Sequence, residues 1–307
     1  MSIQPVRPPV IVHHMAALDG QYPPNSLESI RVCLEAGAAF IEIDIAALAD
    51  SDYLLVHDER LESETTGLGP VGQCSLADSG SLFYKNVDGG ASAYHVPRLG
   101  EVVQLLLDYP NGSRLQLDYK NVIPFSEPEP LQRLVRLIEP LGDRVIVSTG
   151  ADWQLRRLRR LAAWLELGFD IHFYIDWRFP EEPVDPRVPP YRQGAYGYWD
   201  DHILSMQRLW TTAEYLAERC EMLTTLVPGV TTFYIDHRLL AQSLDDGFNW
   251  ADALHKAGIK LDAWTLDADN PTAVANAKRL LAAGVDQFTT NTPGELAAIL
   301  AAHKSTV

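Results

Sequence analysis

Cysteine is scarce. Cys33, Cys74 and Cys220 are the three in the chain, odd in number, far apart and without a CxxC spacing, which excludes a disulfide framework and a thiolate zinc site and predicts buried free thiols. Basic residues are outnumbered: 25 Lys and Arg stand against 41 Asp and Glu, a formal net charge of −16. Such a field repels phosphate backbones and anionic membrane surfaces, so no nucleic-acid partner is expected. Long apolar runs are missing as well. No stretch approaches the roughly 20 residues that span a bilayer, so no stable membrane insertion is expected. MSIQPVRPPVIVHHM lacks the basic start, apolar middle and small-residue cleavage site of a secretion signal, and the expected location is cytoplasmic. What is present is 307 residues, 47% hydrophobic and 21% charged, the balance of a globular protein with a sizeable core. Nothing marks an interface, and the oligomeric state stays open.

Short runs rich in Val, Ile, Leu and aromatics alternate with segments of helical period, the pattern of βαβ units around a parallel sheet. The strand candidates are VIVH (10–13), FIEID (40–44), RLQLD (114–118), RVIVS (144–148), DIHFYI (170–175), TTFYI (231–235), KLDAWT (260–265) and DQFTT (286–290). Eight strands are what a closed barrel needs, and such a barrel takes roughly 250 residues. The expected fold is therefore α/β, a (β/α)8 barrel forming a single catalytic domain over residues 1–307. The Gly-, Ser- and Thr-rich stretch 59–97 reads as a small inserted subdomain after the second strand. Between strands, NSLESIRVCLEAG places Leu27, Ile30 and Leu34 at helical spacing before Gly37, and PGELAAILAAHK opens a last helix with Pro293. The Pro- and Tyr-rich stretch 179–201 is expected to form an active-site-side loop or lid.

The sharpest chemical signal is Glu42-Ile43-Asp44. Residues two apart in a strand share a face, so these carboxylates converge and repel unless a cation or proton lies between them. They sit at the C-terminal end of their strand, the active face of a parallel barrel. Asp118 of LQLDYK occupies the same position on the next barrel strand, with Lys120 two residues on. Three oxygen ligands from adjacent strand ends suit one Mg²⁺ or Ca²⁺ better than zinc. His13-His14 closes the first strand, and His57 follows the run YLLV. Two histidine sites flanking a carboxylate trio suit one general base and one general acid around a phosphoryl group.

The motifs HHMA (13–16), PPNS (23–26), AGAAFIEID (36–44), LLVHD (54–58), DYK (118–120), AWTLDADN (263–270) and AGVDQFTTNTP (283–293) follow one another at family-like intervals. In this the chain resembles the glycerophosphodiester phosphodiesterases, TIM-barrel enzymes of the phospholipase-C-like phosphodiesterase superfamily. It departs from their His-Arg-Gly and Pro-Glu-Asn-Thr signatures, since the Arg is replaced by His14 or Met15 according to register and the Glu by Pro24. The loss removes a bidentate phosphate clamp. The His-Met pair and the Asp of DYK are also similar to the sphingomyelinase D toxins of the same superfamily, whose metal site resembles Glu, Asp, Asp.

The resemblance implies metal-dependent cleavage of a small-molecule phosphodiester to an alcohol and glycerol phosphate, a neighbouring glycerol hydroxyl attacking first to give a cyclic phosphate. Glu42, Asp44 and Asp118 are then the metal ligands. With His14 taken as the family histidine, Ala16 falls at the Gly position and fewer extra residues precede Asn25, which makes His14 and His57 the catalytic pair and leaves His13 to contact substrate. Lys120 holds a phosphate oxygen in place of the missing Arg, and Trp264 walls the pocket. Asp176, Arg178, Asp236 and His237 follow strand candidates without an assigned role. Two further readings stay open: a phospholipase-D-like lyase that releases a cyclic phosphate from a lysophospholipid, and a catalytically silent barrel that binds a phosphodiester.

Overall fold

A computed structural model describes residues 9–18, 20–50, 52–110, 112–123, 127–178 and 192–304. Its main sheet has eight barrel strands: β1 (Val10–His13), β2 (Phe40–Ala47), β3 (Arg114–Tyr119), β4 (Val145–Thr149), β5 (Glu166–Asp170), β6 (Thr232–Asp236), β7 (Lys260–Trp264) and β8 (Gln287–Thr290). Hydrogen-bonded neighbours follow chain order, and β1 pairs with both β8 and β2. The sheet is thus closed, the parallel (β/α)8 barrel that the alternation of strand and helix patterns predicts.

The fifth strand is displaced from its expected place. The run DIHFYI is not a strand: β5 is ELGFD, and Ile171–Phe173 turns as a 3₁₀ helix. The Asp170 carboxylate accepts the His172 N–H at 3.0 Å, a local side-chain turn that stops the strand. The strand signal lies upstream, in the alternation of buried Leu165, Leu167 and Phe169, and is obscured by Gly168 between them, a residue that weakens strand propensity.

The chain divides into two compact units. In the first, Val12–Thr149 with Trp153–Leu167, β2 is buried along its whole length, as expected of a strand covered on both faces. The helix Leu27–Glu35 starts on Ser26, whose hydroxyl accepts the Ser29 N–H at 3.1 Å. It buries Ile30, Cys33 and Leu34 and stops at Gly37, whose φ of 74° is the left-handed conformation glycine adopts at helix ends. After a two-residue strand, Tyr53–Leu54, antiparallel to the end of β2, the segment 59–97 forms two 3₁₀ turns, the short helix Leu76–Ser79 and a hairpin of Phe83–Lys85 with Ala91–His95. Its Leu61, Val71, Leu82 and Val96 share one apolar cluster with Ala46 and Leu48, and at roughly 1.5 kcal/mol or more per large side chain this cluster anchors the segment to the end of β2.

The second unit comprises Met1–Ile11, Gly150–Asp152 and Gly168–Val307. Its helix Thr212–Leu226 carries a reciprocal N-terminal cap between Thr211 and Glu214. It presents Arg219 to the buried Asp200 at 2.7 Å. Of the expected lid, residues 179–191 lie outside the described residues; beyond them, Tyr196 stacks on Tyr215 with centroids 4.1 Å apart and Tyr198 is fully buried. The last helix is Pro293–Lys304. All three cysteines are free and buried, and among the described residues no helix is long and apolar enough to cross a membrane.

Candidate active site

Strand register brings the carboxylates together. In β2, Glu42 and Asp44 alternate with Ile41, Ile43 and Ile45, and the parallel pairing sets Glu42 beside Gln116 and Asp44 beside Asp118. Neighbouring strands are about 4.8 Å apart, so same-face carboxylates at one register meet. One oxygen from each of Glu42, Asp44 and Asp118 lies within 4.8 Å of the others. Lys120, two residues beyond Asp118, reaches the same face, with its Nζ 2.6 Å from Asp118 Oδ2 and 2.9 Å from Asp44 Oδ1. Among the described residues the Lys120 ammonium is thus the partner of the buried Asp44 Oδ1.

The electrostatics follow from burial and crowding. Desolvation, then the Asp44 and Asp118 charges, push the Glu42 carboxyl well above its ordinary range. Burial acts the same way on Asp44, but the Lys120 ammonium, His57 and the Asn25 amide together outweigh it and hold Asp44 low. Burial alone favours a neutral Lys120; Asp118, Asp44 and Glu42 reverse this and keep it charged far above the ordinary lysine range. Three carboxylates therefore share one ammonium, an excess of two negative charges when all are ionised. A single divalent cation matches that excess, and three converging carboxylate oxygens form a donor set that fits it.

A strained turn faces the trio. His14–Ala16 is one 3₁₀ turn, in which Met15 and Ala16 have φ of 50° and 57°, a conformation that costs a non-glycine residue about 1–2 kcal/mol. It lets the Met15 main-chain N–H donate to Glu42 Oε2 at 2.7 Å and leaves His14 Nε2 4.0 Å from the same oxygen. Asn25, also left-handed at φ 61°, donates from Nδ2 to Asp44 Oδ2 at 2.9 Å and accepts the Asp44 N–H on Oδ1 at 3.1 Å. His57 stands 46% exposed, its Nδ1 3.0 Å from Asp58 Oδ1. The structure thus gathers Glu42, Asp44, Asp118, Lys120 and His14, with His57 near enough for its charge to act on Asp44. His13 takes a different course: it is buried, with Nδ1 bonded to the Ala17 carbonyl at 2.8 Å and 3.6 Å from Cys33 Sγ, and burial lowers its pKa.

The remaining expected residues lie in the second unit. Trp264 ends β7 and meets His172 edge-to-face at 6.0 Å. His172 Nδ1 is in turn 2.6 Å from Asp170, a pair hidden from sequence reading by the misplaced fifth strand. Asp176 is paired with Arg178 at 2.6 Å. Asp236 caps the helix His237–Asp245 and takes the Arg238 guanidinium, and His237 accepts from Asn276 Nδ2 at 2.9 Å.

Asn25 enters the sequence reading as part of the PPNS motif, with no contact assigned to it. Asn25 carries a partial signal, because Asn enters the left-handed region more readily than other residues with a side chain and stands directly before the helix cap Ser26. That signal indicates a turn and says nothing of Asp44.

Residues 17–173 match the sequence model of the glycerophosphoryl diester phosphodiesterase family, half of the chain. The chain belongs to this family. The glycerophosphodiester phosphodiesterase of Caldanaerobacter subterraneus subsp. tengcongensis is 26% identical to it over 154 residues, 48% of this chain and 60% of that protein, so the match spans less than two thirds of the relative's length. Solved structures share the fold. A glycerophosphodiester phosphodiesterase from Parabacteroides distasonis superposes with a TM-score of 0.64 at 18% identity, over 96% of this chain and 97% of that one. A phosphodiesterase from Oleispira antarctica in complex with the product sn-glycerol-3-phosphate gives 0.61 at 19%, over 96% and 97%. Within the glycerophosphoryl diester phosphodiesterase family match, β2, β3 and the segment 59–97 are all included. The His14 turn precedes residue 17 and stands on its geometry.

Proposed function

We propose that the chain is a metal-dependent phosphodiesterase that hydrolyses a small glycerophosphodiester-like substrate to an alcohol and glycerol phosphate, acting as one catalytic domain with the 59–97 insertion. The observation that carries this reading is the Glu42, Asp44 and Asp118 trio, three converging carboxylates that face the one ammonium of Lys120. These three side chains would hold one Mg²⁺ or Ca²⁺, which when bound supplies positive charge against the phosphoryl oxygens and offsets the charge that develops there.

The protein groups divide the remaining work. One of His14 and His57 takes a proton from the attacking water or hydroxyl as the new P–O bond forms, and the other gives a proton to the leaving alkoxide as the old P–O bond breaks. Lys120, kept charged by its neighbours, would hold a phosphoryl oxygen and supply part of the charge that Met15 no longer brings. Met15 contributes its amide instead, holding Glu42 Oε2 in place. Trp264 is assigned to the pocket wall. His13 is assigned here to support of the turn that carries His14, in place of the substrate contact first expected. Three buried free thiols favour a reducing compartment, the cytosol.

The test is phosphorus NMR of the purified protein with glycerophosphocholine and lysophosphatidylcholine, with Mg²⁺ or Ca²⁺ and with EDTA. Glycerol phosphate appearing only with metal is the expected result. An accumulating cyclic phosphate would replace the hydrolase with the lyase. Ligand-induced stabilisation without turnover would favour the silent barrel, a reading motivated by the absence of the clamp Arg and Glu.

A further inference from the structure

The 59–97 segment does more than pack on the end of β2. Thr65 and Tyr84 form an isolated antiparallel bridge, and Lys85 N–H donates to the Glu64 carbonyl at 2.9 Å, so Glu64, in the turn after the Leu61–Ser63 3₁₀ helix, lies close to Tyr84 on the hairpin strand Phe83–Lys85. Both side chains reach main chain that belongs to the site. Glu64 Oε1 accepts the N–H of His57 and the N–H of Asp58, each at 2.8 Å. The Tyr84 hydroxyl, fully enclosed, donates to the Leu55 carbonyl at 2.7 Å, with the Asn25 carbonyl at 3.3 Å as its longer branch. The stretch 55–58 is therefore gripped from both sides, by its carbonyl at Leu55 and by its amides at His57 and Asp58.

Asn25 is held on three sides: its N–H donates to the Met15 carbonyl at 2.8 Å, its side chain is bonded twice to Asp44, and its carbonyl faces the Tyr84 hydroxyl at 3.3 Å. One phenol thus ties the chain leading to His57 to the residue that orients Asp44. We infer that Tyr84 and Glu64 are positioning residues of the active site: Tyr84 holds Asn25, and through it Asp44, while Glu64 holds the backbone from which the His57 imidazole projects. The inference rests on the functional reading above.

The experiment compares Tyr84→Phe, Glu64→Ala, Glu64→Gln and the control Leu82→Ala, a substitution in the segment's own apolar cluster. Each variant is assayed for kcat and KM on glycerophosphocholine, for Mn²⁺ affinity by electron paramagnetic resonance, and for its unfolding midpoint. Removing the Tyr84 hydroxyl should lower kcat and weaken Mn²⁺ binding by about 10-fold each, the scale of one hydrogen bond. Glu64→Ala should lower kcat about 10-fold or more with Mn²⁺ affinity kept, and Glu64→Gln, whose amide oxygen still accepts both N–H groups, should recover most of the loss. Leu82→Ala should lower the midpoint and leave kcat and Mn²⁺ affinity near wild type.

Tyr84→Phe and Glu64→Ala enzymes indistinguishable from wild type would overturn the inference alone. So would a Leu82→Ala enzyme with the same losses, since the segment would then act only through stability. A wild-type protein that neither binds Mn²⁺ nor turns over a diester would overturn the functional reading and this inference with it. Where wild type binds Mn²⁺ without detectable turnover, the affinity of Tyr84→Phe decides: unchanged, it overturns the inference.

Discussion

Asn25 and Asp44 hold each other in both directions. The Asn25 amide donates to the Asp44 carboxylate at 2.9 Å, and the Asp44 main-chain N–H returns a bond to the Asn25 side-chain oxygen at 3.1 Å. Asn25 does this from a backbone at φ 61°, so its side chain and its conformation can be tested separately. Asn25→Gly keeps the conformation and removes both bonds; Asn25→Ala removes the bonds and keeps the strain. Both should lower turnover about 10-fold or more. The Ala variant should also be about 1 kcal/mol less stable than the Gly variant. Equal unfolding free energies in urea would show that the left-handed backbone carries no strain.

The two adjacent histidines differ in what surrounds them. His14 lies beside Glu42, whereas His13 is buried against Ala17 and Cys33. His14→Asn should therefore abolish turnover while leaving the unfolding midpoint nearly unchanged. His13→Asn, whose amide can still donate to the Ala17 carbonyl, should keep most of the activity and lose about 1 kcal/mol of stability through the vacated ring. The reverse pattern of kcat values would move the catalytic assignment to His13.

How much of this was readable from the sequence depends on the range of the interaction. Glu42 and Asp44 are two residues apart in a strand, and strand period alone puts them on one face; Asp118 needs only the rule that parallel strand ends converge. The fifth strand misleads because Ile171 to Ile175 is richer in apolar residues than the true strand around Gly168, and only the Asp170 turn, a hydrogen bond, ends it. Glu64 and Tyr84 are beyond sequence reading for another reason. Tyr84 acts on a carbonyl 59 positions away, and a backbone carbonyl carries no residue signature at all. Local period places side chains on faces; the contacts that orient them arise from tertiary packing.

Charge balance in the trio gives the third prediction. Glu42→Gln keeps the shape and removes one negative charge from a buried group already pushed toward its neutral form. Metal affinity and turnover should fall about 100-fold or more, since even an outer-shell partner of a ligand is worth roughly 10–100-fold, with stability equal to or above wild type in EDTA because like-charge repulsion is relieved. Lys120→Met should do the opposite in EDTA, destabilising by about 2 kcal/mol because Asp44 and Asp118 lose their counter-charge. Calorimetry of both variants with EDTA checks the signs, and a destabilised Glu42→Gln would mean that the carboxylates do not repel.

Acid should weaken the fold through His237. Burial depresses its pKa below the ordinary 6.5, and the Asn276 amide donates to its Nδ1, which requires an unprotonated nitrogen there. The folded state thus prefers the neutral ring: the contribution is complete above about pH 6.5 and is lost as pH falls toward the folded value, at no more than about 1.4 kcal/mol per pH unit. His237→Asn retains an acceptor for Asn276 and removes the titration. Its melting temperature should fall less than that of wild type between pH 7.5 and 5.5, and parallel pH profiles would count against the assignment.

Asp262 sends the dependence the other way. It is wholly enclosed on β7, where the Thr289 hydroxyl lies 2.9 and 3.0 Å from its two oxygens. Burial first, and then the Asp170 charge, raise its carboxyl well above the ordinary range against the Thr289 hydrogen bond. A raised folded value means that its favourable contribution is full below the unfolded pKa of about 3.9 and is lost as pH rises, because the unfolded chain releases a proton that the folded chain must keep. Asp262→Asn has nearly the same volume, offers an oxygen to the Thr289 hydroxyl and has no proton to lose. It should stabilise the protein at pH 7.5 by about 1–3 kcal/mol and change little at pH 4. A loss of stability at pH 7.5 would instead show that the interior of the second unit depends on the carboxylate.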